Sequence, residues 1–534
     1  MPRFWTNPEF VRHRRAELRP VRAVTVAIVV LLMCVLVGLA CWSYQANQLE
    51  SARRGLEAFA TDAWKQRVDA MEEHFAQKTW LLIYRWLVGL QGVALTFWTL
   101  FSCALSVSGE RDRKTWDFQR TTRLTPSEML IGKVLGEPVL IYFAVLCAAP
   151  ATLITGLAGG LSLGTVLSVF VSLAAVAIFL GFGGMWLSTL LESRTRGVGL
   201  IGALALYGLS LTAYGMRESG LPGLAAVSPL IAMIDMIVGV VPSEFRYMPT
   251  LFGREVPWLL MNILLCGPLS AWLVLMLMRN LKRDYPEIRP LSRWQAVGCA
   301  AFLNFLIYAL LHPGREIVLE SGVIRAGQFA DAKAVAIFAV AMNGVFLFLM
   351  GLATLTPQER LKVWRRKRTS GASLFSDDGL PWPWLTISAI VAYALLVWGL
   401  LAWDHTLPLE MSTLQASAIR LLLVLVFVTR DVLFLQWCML TRLRQPIVKG
   451  VLFLCLYYGA SAVVTALASV SSQEAARWVL ALLTPVQVFD PEIRGLGFPA
   501  ATYTGLVVQF IAITAVIFAI HGRLKRPLRT GEAA

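Results

Sequence analysis

Residues 80–133 read WLLIYRWLVGLQGVALTFWTLFSCALSVSGERDRKTWDFQRTTRLTPSEMLIGK. From Trp80 to Ser106 the only charge is Arg85. A helix of that length covers the ~30 Å hydrocarbon core of a bilayer. A charged stretch follows, Gly109-Glu110-Arg111-Asp112-Arg113-Lys114-Thr115, and then Trp116 and Phe118 stand among polar residues. Such a pattern predicts a short helix with large apolar side chains and no apolar stripe long enough to bury itself. Thr125-Pro126-Ser127-Glu128 starts another helix: Thr125 suits the N-cap, Pro126 the first helical position, and Glu128 completes a capping box. That helix is expected to run through Gly132 and Lys133 straight into the next membrane span. A short rigid peg between two membrane helices is suited to being pushed by something outside the bilayer.

The same logic extends along the chain. Of 534 residues, 57% are hydrophobic and 15% charged, with a mean hydropathy of +0.64. Soluble domains carry about 25% charge, so this is a polytopic all-α membrane protein. Twelve spans are expected, near 22–44, 80–106, 134–156, 164–191, 197–215, 256–278, 295–311, 333–355, 383–403, 414–440, 450–470 and 500–521. An apolar stretch at 224–241, broken by Pro229 and Pro242, reads as re-entrant or interfacial. With a cytosolic N-terminus, the inside segments hold 32 Lys and Arg and the outside segments 13. By the positive-inside rule both termini are cytosolic. Basic residues scattered over short membrane-flanking segments fit anionic lipid as a partner and leave no stretch for nucleic acid.

The eight cysteines show no C-x-x-C spacing and the five histidines no ligand spacing, so no metal is expected. Gly132-Lys133 is followed by Val134, not by the Ser or Thr of a phosphate-binding loop. No catalytic residue and no cofactor is assigned to this chain. Arg430 and Asp431, inside the tenth span, are neighbours about 100° apart around a helix and are expected to find partners on other helices. Arg85 and Arg420 are expected to snorkel, and Glu137, four residues after Lys133, to pair with that lysine.

The 109–133 segment resembles the cytosolic coupling region of ABC-2 type ABC transporter permeases. The features that carry the likeness are Glu110-Arg111, Thr115-Trp116, Thr122-Arg123-Leu124-Thr125-Pro126 and Gly132-Lys133. Asn7-Pro8-Glu9-Phe10, followed by Arg12, Arg14, Arg15, Glu17 and Arg19, is similar to that family's elbow helix. The turn 187–196 and Ser228-Pro229-Leu230, at the start of an outer hairpin, also resemble the family. Fainter echoes recur later: Glu359, Arg360 and Trp364 answer the coupling segment, and Thr484-Pro485 answers Ser228-Pro229. The second coupling-like segment lacks the Thr-x-Leu-x-Pro and Gly-Lys portion.

These echoes lie close to half the chain length apart and point to two parallel six-span halves. The domains are a cytosolic amphipathic elbow at 1–21, a first membrane domain at 22–280, a cytosolic linker at 281–294, a more divergent second domain at 295–521 and a basic cytosolic tail at 522–534. The resemblance implies a permease, mostly for export, in a bacterial inner membrane. A separate ATP-binding subunit, expected in two copies, binds and hydrolyses the ATP. Glu110, Arg111, Thr115, Trp116, Phe118, Thr122 and Leu124 are the expected ATPase-coupling residues. Pro126, Gly132 and Lys133 set the geometry. Whether one chain supplies the whole pathway, or a homodimer or second permease completes it, stays open. The alternative from a different class is an ion-coupled secondary transporter using Arg430, Asp431 and Glu137.

Overall fold

In the computed structural model, the residues described are 7–59, 62–121, 123–190, 207, 250–251, 254–283, 292–310, 317–319, 322–324, 332–369, 375–402, 411–441, 446–485 and 500–525. They are helical apart from two short hairpins, Thr250–Leu251 with Arg254–Glu255 and Ile317–Leu319 with Gly322–Ile324. The chain divides into two compact units, Met1–Thr250 with Arg254–Ile288, and Leu251–Gly253 with Arg289–Ala534.

The first unit opens with α1 (Pro8–Glu17), α2 (Pro20–Phe59), α3 (Asp62–Glu73), α4 (Phe75–Asp112) and α5 (Trp116–Thr121). It continues with α6 (Pro126–Gly136), α7 (Val139–Ala158), α8 (Leu163–Leu190) and α9 (Trp258–Asn280). The second holds α10 (Arg293–Leu310), α11 (Ala332–Ala353), α12 (Gln358–Thr369), α13 (Trp382–Ala402), α14 (Met411–Met439), α15 (Pro446–Ser471), α16 (Gln473–Leu483) and α17 (Ala500–Lys525). Among the described residues, eight helices are long and apolar enough to cross a membrane: α2, α4, α7, α8, α9, α13, α15 and α17. The expected spans at 295–311, 333–355 and 414–440 are also helices, α10, α11 and α14. The fifth, 197–215, lies outside the described residues except for Tyr207, and so do 224–241 and Ser228-Pro229.

Beyond the first span α2 runs on to Phe59 and α3 folds back on it, with Arg53 and Glu72 paired at 2.7 Å. Two details depart from the sequence reading. The helix begun at Pro126 does not run into the third span. It stops at Gly136, and α7 starts at Val139. Pro138 causes the break, because it has no N–H to give the carbonyl four residues back. That carbonyl belongs to Val134, and the Tyr142 hydroxyl donates to it instead, at 3.2 Å. Arg420 does not snorkel; it is buried within the second unit.

The core of the first unit forms where α4 meets α7 and α8. Tyr84, Val88, Leu100, Val166, Leu173 and Val176 are buried there together. α4 thus stands as a fixed post, and its end at Asp112 carries the peg.

Candidate functional site

The end of α4 is shaped by its own backbone. The Lys114 N–H bonds the Arg111 carbonyl at 3.0 Å, and the Thr115 N–H bonds the Glu110 carbonyl at 3.0 Å. These are the two bonds of a Schellman stop, in which the residue after the C-cap takes the left-handed conformation usually given to glycine. Here Lys114 takes it, with φ 58°. The chain turns sharply and α5 begins at once.

α5 presents two opposite aromatic residues. Trp116 is 4% exposed and Phe118 75%. Trp116 packs among Met129, Leu130 and Val134 of α6, Met185 of α8 and Leu277 of α9. The Lys133 ammonium stands 5.7 Å from the centre of its ring and the Arg111 guanidinium 5.8 Å, within the reach of cation–π attraction. α6 starts as its sequence predicts: Thr125 Oγ1 accepts from the Glu128 N–H, and Glu128 accepts from the Thr125 N–H at 2.8 Å, a complete capping box.

Behind the peg lies a buried ionic cluster. Lys133 is fully buried, and its Nζ lies 2.6 Å from Glu110 Oε2 and 3.2 Å from Glu9 Oε1. Arg12 donates to Glu9 at 2.8 Å and to Glu110 at 2.7 Å. The Gln119 amide of α5 also donates to Glu110, at 2.7 Å. Two carboxylates thus face two cations, and their mutual attraction and hydrogen bonds offset the cost of taking the charges out of water. α1, α4, α5 and α6 all contribute. Asn7 adds a further stitch: its oxygen caps α1 by accepting from the Glu9 N–H at 3.0 Å, while its amide donates to the Glu128 carbonyl of α6 at 2.8 Å. Burial works against the charge of Glu9. The hydrogen bond with His13 and the charges of Lys133 and Arg12 outweigh it and hold the carboxyl at about 2. For Arg12, burial is likewise outweighed, by Glu110 and Glu9, and its pKa rises.

Of the residues expected to contact an ATPase, Thr115 and Phe118 are exposed, whereas Glu110 and Trp116 face inward. Arg111 is half-buried and donates to the Thr189 carbonyl of α8 at 3.1 Å. Leu124 is half-buried against the Trp116 cluster, and Thr122 lies outside the described residues. Pro126 sits at the first turn of α6. Gly132 faces α1, where an added Cβ would stand 2.6 Å from Glu9 Cβ. The places of Glu9 and Arg12 as ionic partners in the cluster, and of Gln119 as its amide donor, are not readable from spacing. Glu137 does not pair with Lys133 either. It faces His13 at 3.8 Å, the lysine having turned to Glu110.

In the second unit, α11 bends by 86° into α12. Trp364 and Leu361 of α12 pack inward against Leu433, Leu440 and Ile520. Glu359 is exposed and Arg360 half-buried. The exposed side of α12 carries Val363, Arg366 and Lys367, with no exposed aromatic residue to match Phe118. Arg430 and Asp431 do pair with each other, Nη2 to Oδ1 at 2.7 Å. The long arginine side chain folds back along its helix and overcomes the angle between neighbours. Thr484 is the C-cap of α16, and the residues that follow Pro485, 486–499, lie outside the described residues.

Residues 14–241 match the family described as ABC-2 type transporter. No curated protein and no solved structure matches the chain. The matched stretch takes in the coupling segment 109–133 and the turn 187–196, two of the places where the sequence resembles that family.

Proposed function

We propose that this multi-pass protein, bearing an ABC-2 type transporter domain, is the permease subunit of an exporter in a bacterial inner membrane, driven by a separate cytosolic ATPase that docks on α5. In this reading both termini and α5 lie on the cytosolic side. The partner subunit, in two copies, binds and hydrolyses ATP, and this chain contributes motion and a pathway but no catalytic group and no cofactor. The observation that carries the reading is the division of labour in α5. Phe118 is offered outward, while Trp116 and Gln119 tie the back of the same helix to α4, α6 and the elbow α1. A push on Phe118 is thereby passed to three helices at once.

The test is co-purification of the full chain with its ATPase, followed by ATP-dependent transport in proteoliposomes. Phe118→Ala is expected to lower ATPase retention about ten-fold while leaving the melting temperature unchanged, as suits an exposed contact residue. Trp116→Ala is expected to lower the melting temperature, because it empties a buried site. Full retention and transport in Phe118→Ala combined with Thr115→Ala would sink the docking site.

A further inference from the structure

The polar cluster around Arg430 reaches a helix end that needs it. α16 has eleven residues, about 16 Å. Its last carbonyls meet residues far along the neighbouring spans. The Tyr457 hydroxyl donates to the Leu483 carbonyl at 2.9 Å, and the Gln509 amide donates to the Leu482 carbonyl at 2.6 Å. Tyr457 lies 14 residues before the end of α15 at Ser471, and Gln509 nine residues after the start of α17 at Ala500. At 1.5 Å per residue those are depths of about 21 and 14 Å. α15 and α17 are both long and apolar enough to cross a membrane, so α16 runs back between the levels of their ends and stops inside the span. Gly505 lets α17 come close, for an added Cβ there would collide with the Ala481 carbonyl.

A helix end at that depth leaves carbonyls with no water to bond. Thr484 covers Leu480 through both its N–H and its hydroxyl, at 3.0 and 3.1 Å. Arg430 organises the rest. Its Nη1 donates to the Tyr457 hydroxyl at 3.2 Å and to Gln509 Oε1 at 2.8 Å, fixing both groups that serve α16. A cation is also favoured beside the negative end of a helix dipole. Asp431 balances the charge, bonded by Arg430 Nε at 2.8 Å and by the Tyr458 hydroxyl.

We infer that Arg430 is a positioning residue that anchors the deep end of α16, making α16 a re-entrant half-helix held between α15 and α17. The pair with Asp431 is then a counter-charge for that anchor and not an ion-coupling site. The inference needs only that the second unit spans the membrane, and stands apart from the ATPase reading.

Hydrogen–deuterium exchange on the full chain in lipid nanodiscs tests it. Arg430→Gln and Gln509→Leu are each expected to speed exchange of the amides in 476–483 about ten-fold, the loss of roughly one hydrogen bond. α14, α15 and α17 stay protected, and Arg430→Lys restores part of the protection. Unchanged exchange in 476–483 for Gln509→Leu overturns the inference. So does an equal rise across all four helices in both variants, which marks a general packing role. Should Arg430→Gln fail to fold, Tyr457→Phe with Gln509→Leu reads the same anchor.

Discussion

The ammonium of Lys133 lies 2.6 Å from a carboxylate oxygen of Glu110, on a different helix and 23 positions away in sequence. The bond joins the post (α4) to the helix that follows the peg (α6), and Glu9 brings in the elbow. Removing the lysine alone leaves two buried carboxylates facing each other with only Arg12 between them. Breaking a buried pair from one side costs about 3–5 kcal/mol. Lys133→Met is expected to lower stability by that order, and Lys133→Met with Glu110→Gln by clearly less, in thermal unfolding of the detergent-solubilised protein. Equal losses in the single and double variants would show that the lysine matters only for packing.

Glu9 gives the cluster a pH dependence with a definite sign. Its carboxyl is held at about 2, below the ordinary 4.5. A lowered carboxyl pKa adds stability that is fully present above the unfolded value and disappears as pH falls through the folded one. The contribution is therefore whole above pH 4.5 and fades between 4.5 and 2. Wild type is expected to melt above Glu9→Gln at pH 7, with the difference shrinking as pH drops through this window. A difference that stays constant from pH 7 to pH 2.5 would refute a charged Glu9 in the cluster.

Gly132 is where α1 and α6 touch. A Cβ at that position would stand 2.6 Å from Glu9 Cβ and 2.9 Å from the Asn7 oxygen. Neither neighbour is the far end of a flexible chain, for Asn7 is bonded to both helices. Gly132→Val is expected to lift the elbow from α6 at a cost of about 1–3 kcal/mol, and to raise proteolytic cleavage within 8–17 while α4 and α8 stay intact. Wild-type resistance to cleavage would mean that the contact yields without cost.

What could be read in the sequence was local. The capping box at Thr125 and Glu128 depends on a spacing of three, and the short helix at Trp116 on the pattern of its immediate neighbours; both are present. Eight apolar runs announce themselves by length and composition alone. The partners of Lys133 follow another rule. Spacing along one helix favours Glu137, but burial favours whichever carboxylates the fold brings inside, and these come from α1 and α4. Arg430 was conspicuous as an intramembrane charge, yet the helix end it serves becomes visible only once α16 lies against α15 and α17. The break at Pro138 was open to a local argument, because proline denies Val134 its usual donor.

Lys114 holds the turn that aims the peg, and it does so in a conformation that suits glycine. Its φ of 58° lies in the left-handed region, where a Cβ crowds the following carbonyl at a cost of about 1–2 kcal/mol. The two backbone bonds of the stop, from Lys114 to Arg111 and from Thr115 to Glu110, keep it there. Its side chain is exposed, so replacing it removes no buried contact. Lys114→Gly is thus expected to raise stability by about 1 kcal/mol, partly offset by the extra freedom glycine gives the unfolded chain. Thermal unfolding of the purified chain measures the gain, and the retention of α5 can be followed by hydrogen–deuterium exchange of the amides in 116–121. A loss of stability instead would mean that the lysine side chain holds the turn through a contact of its own, and that the strain at φ 58° is not what limits it.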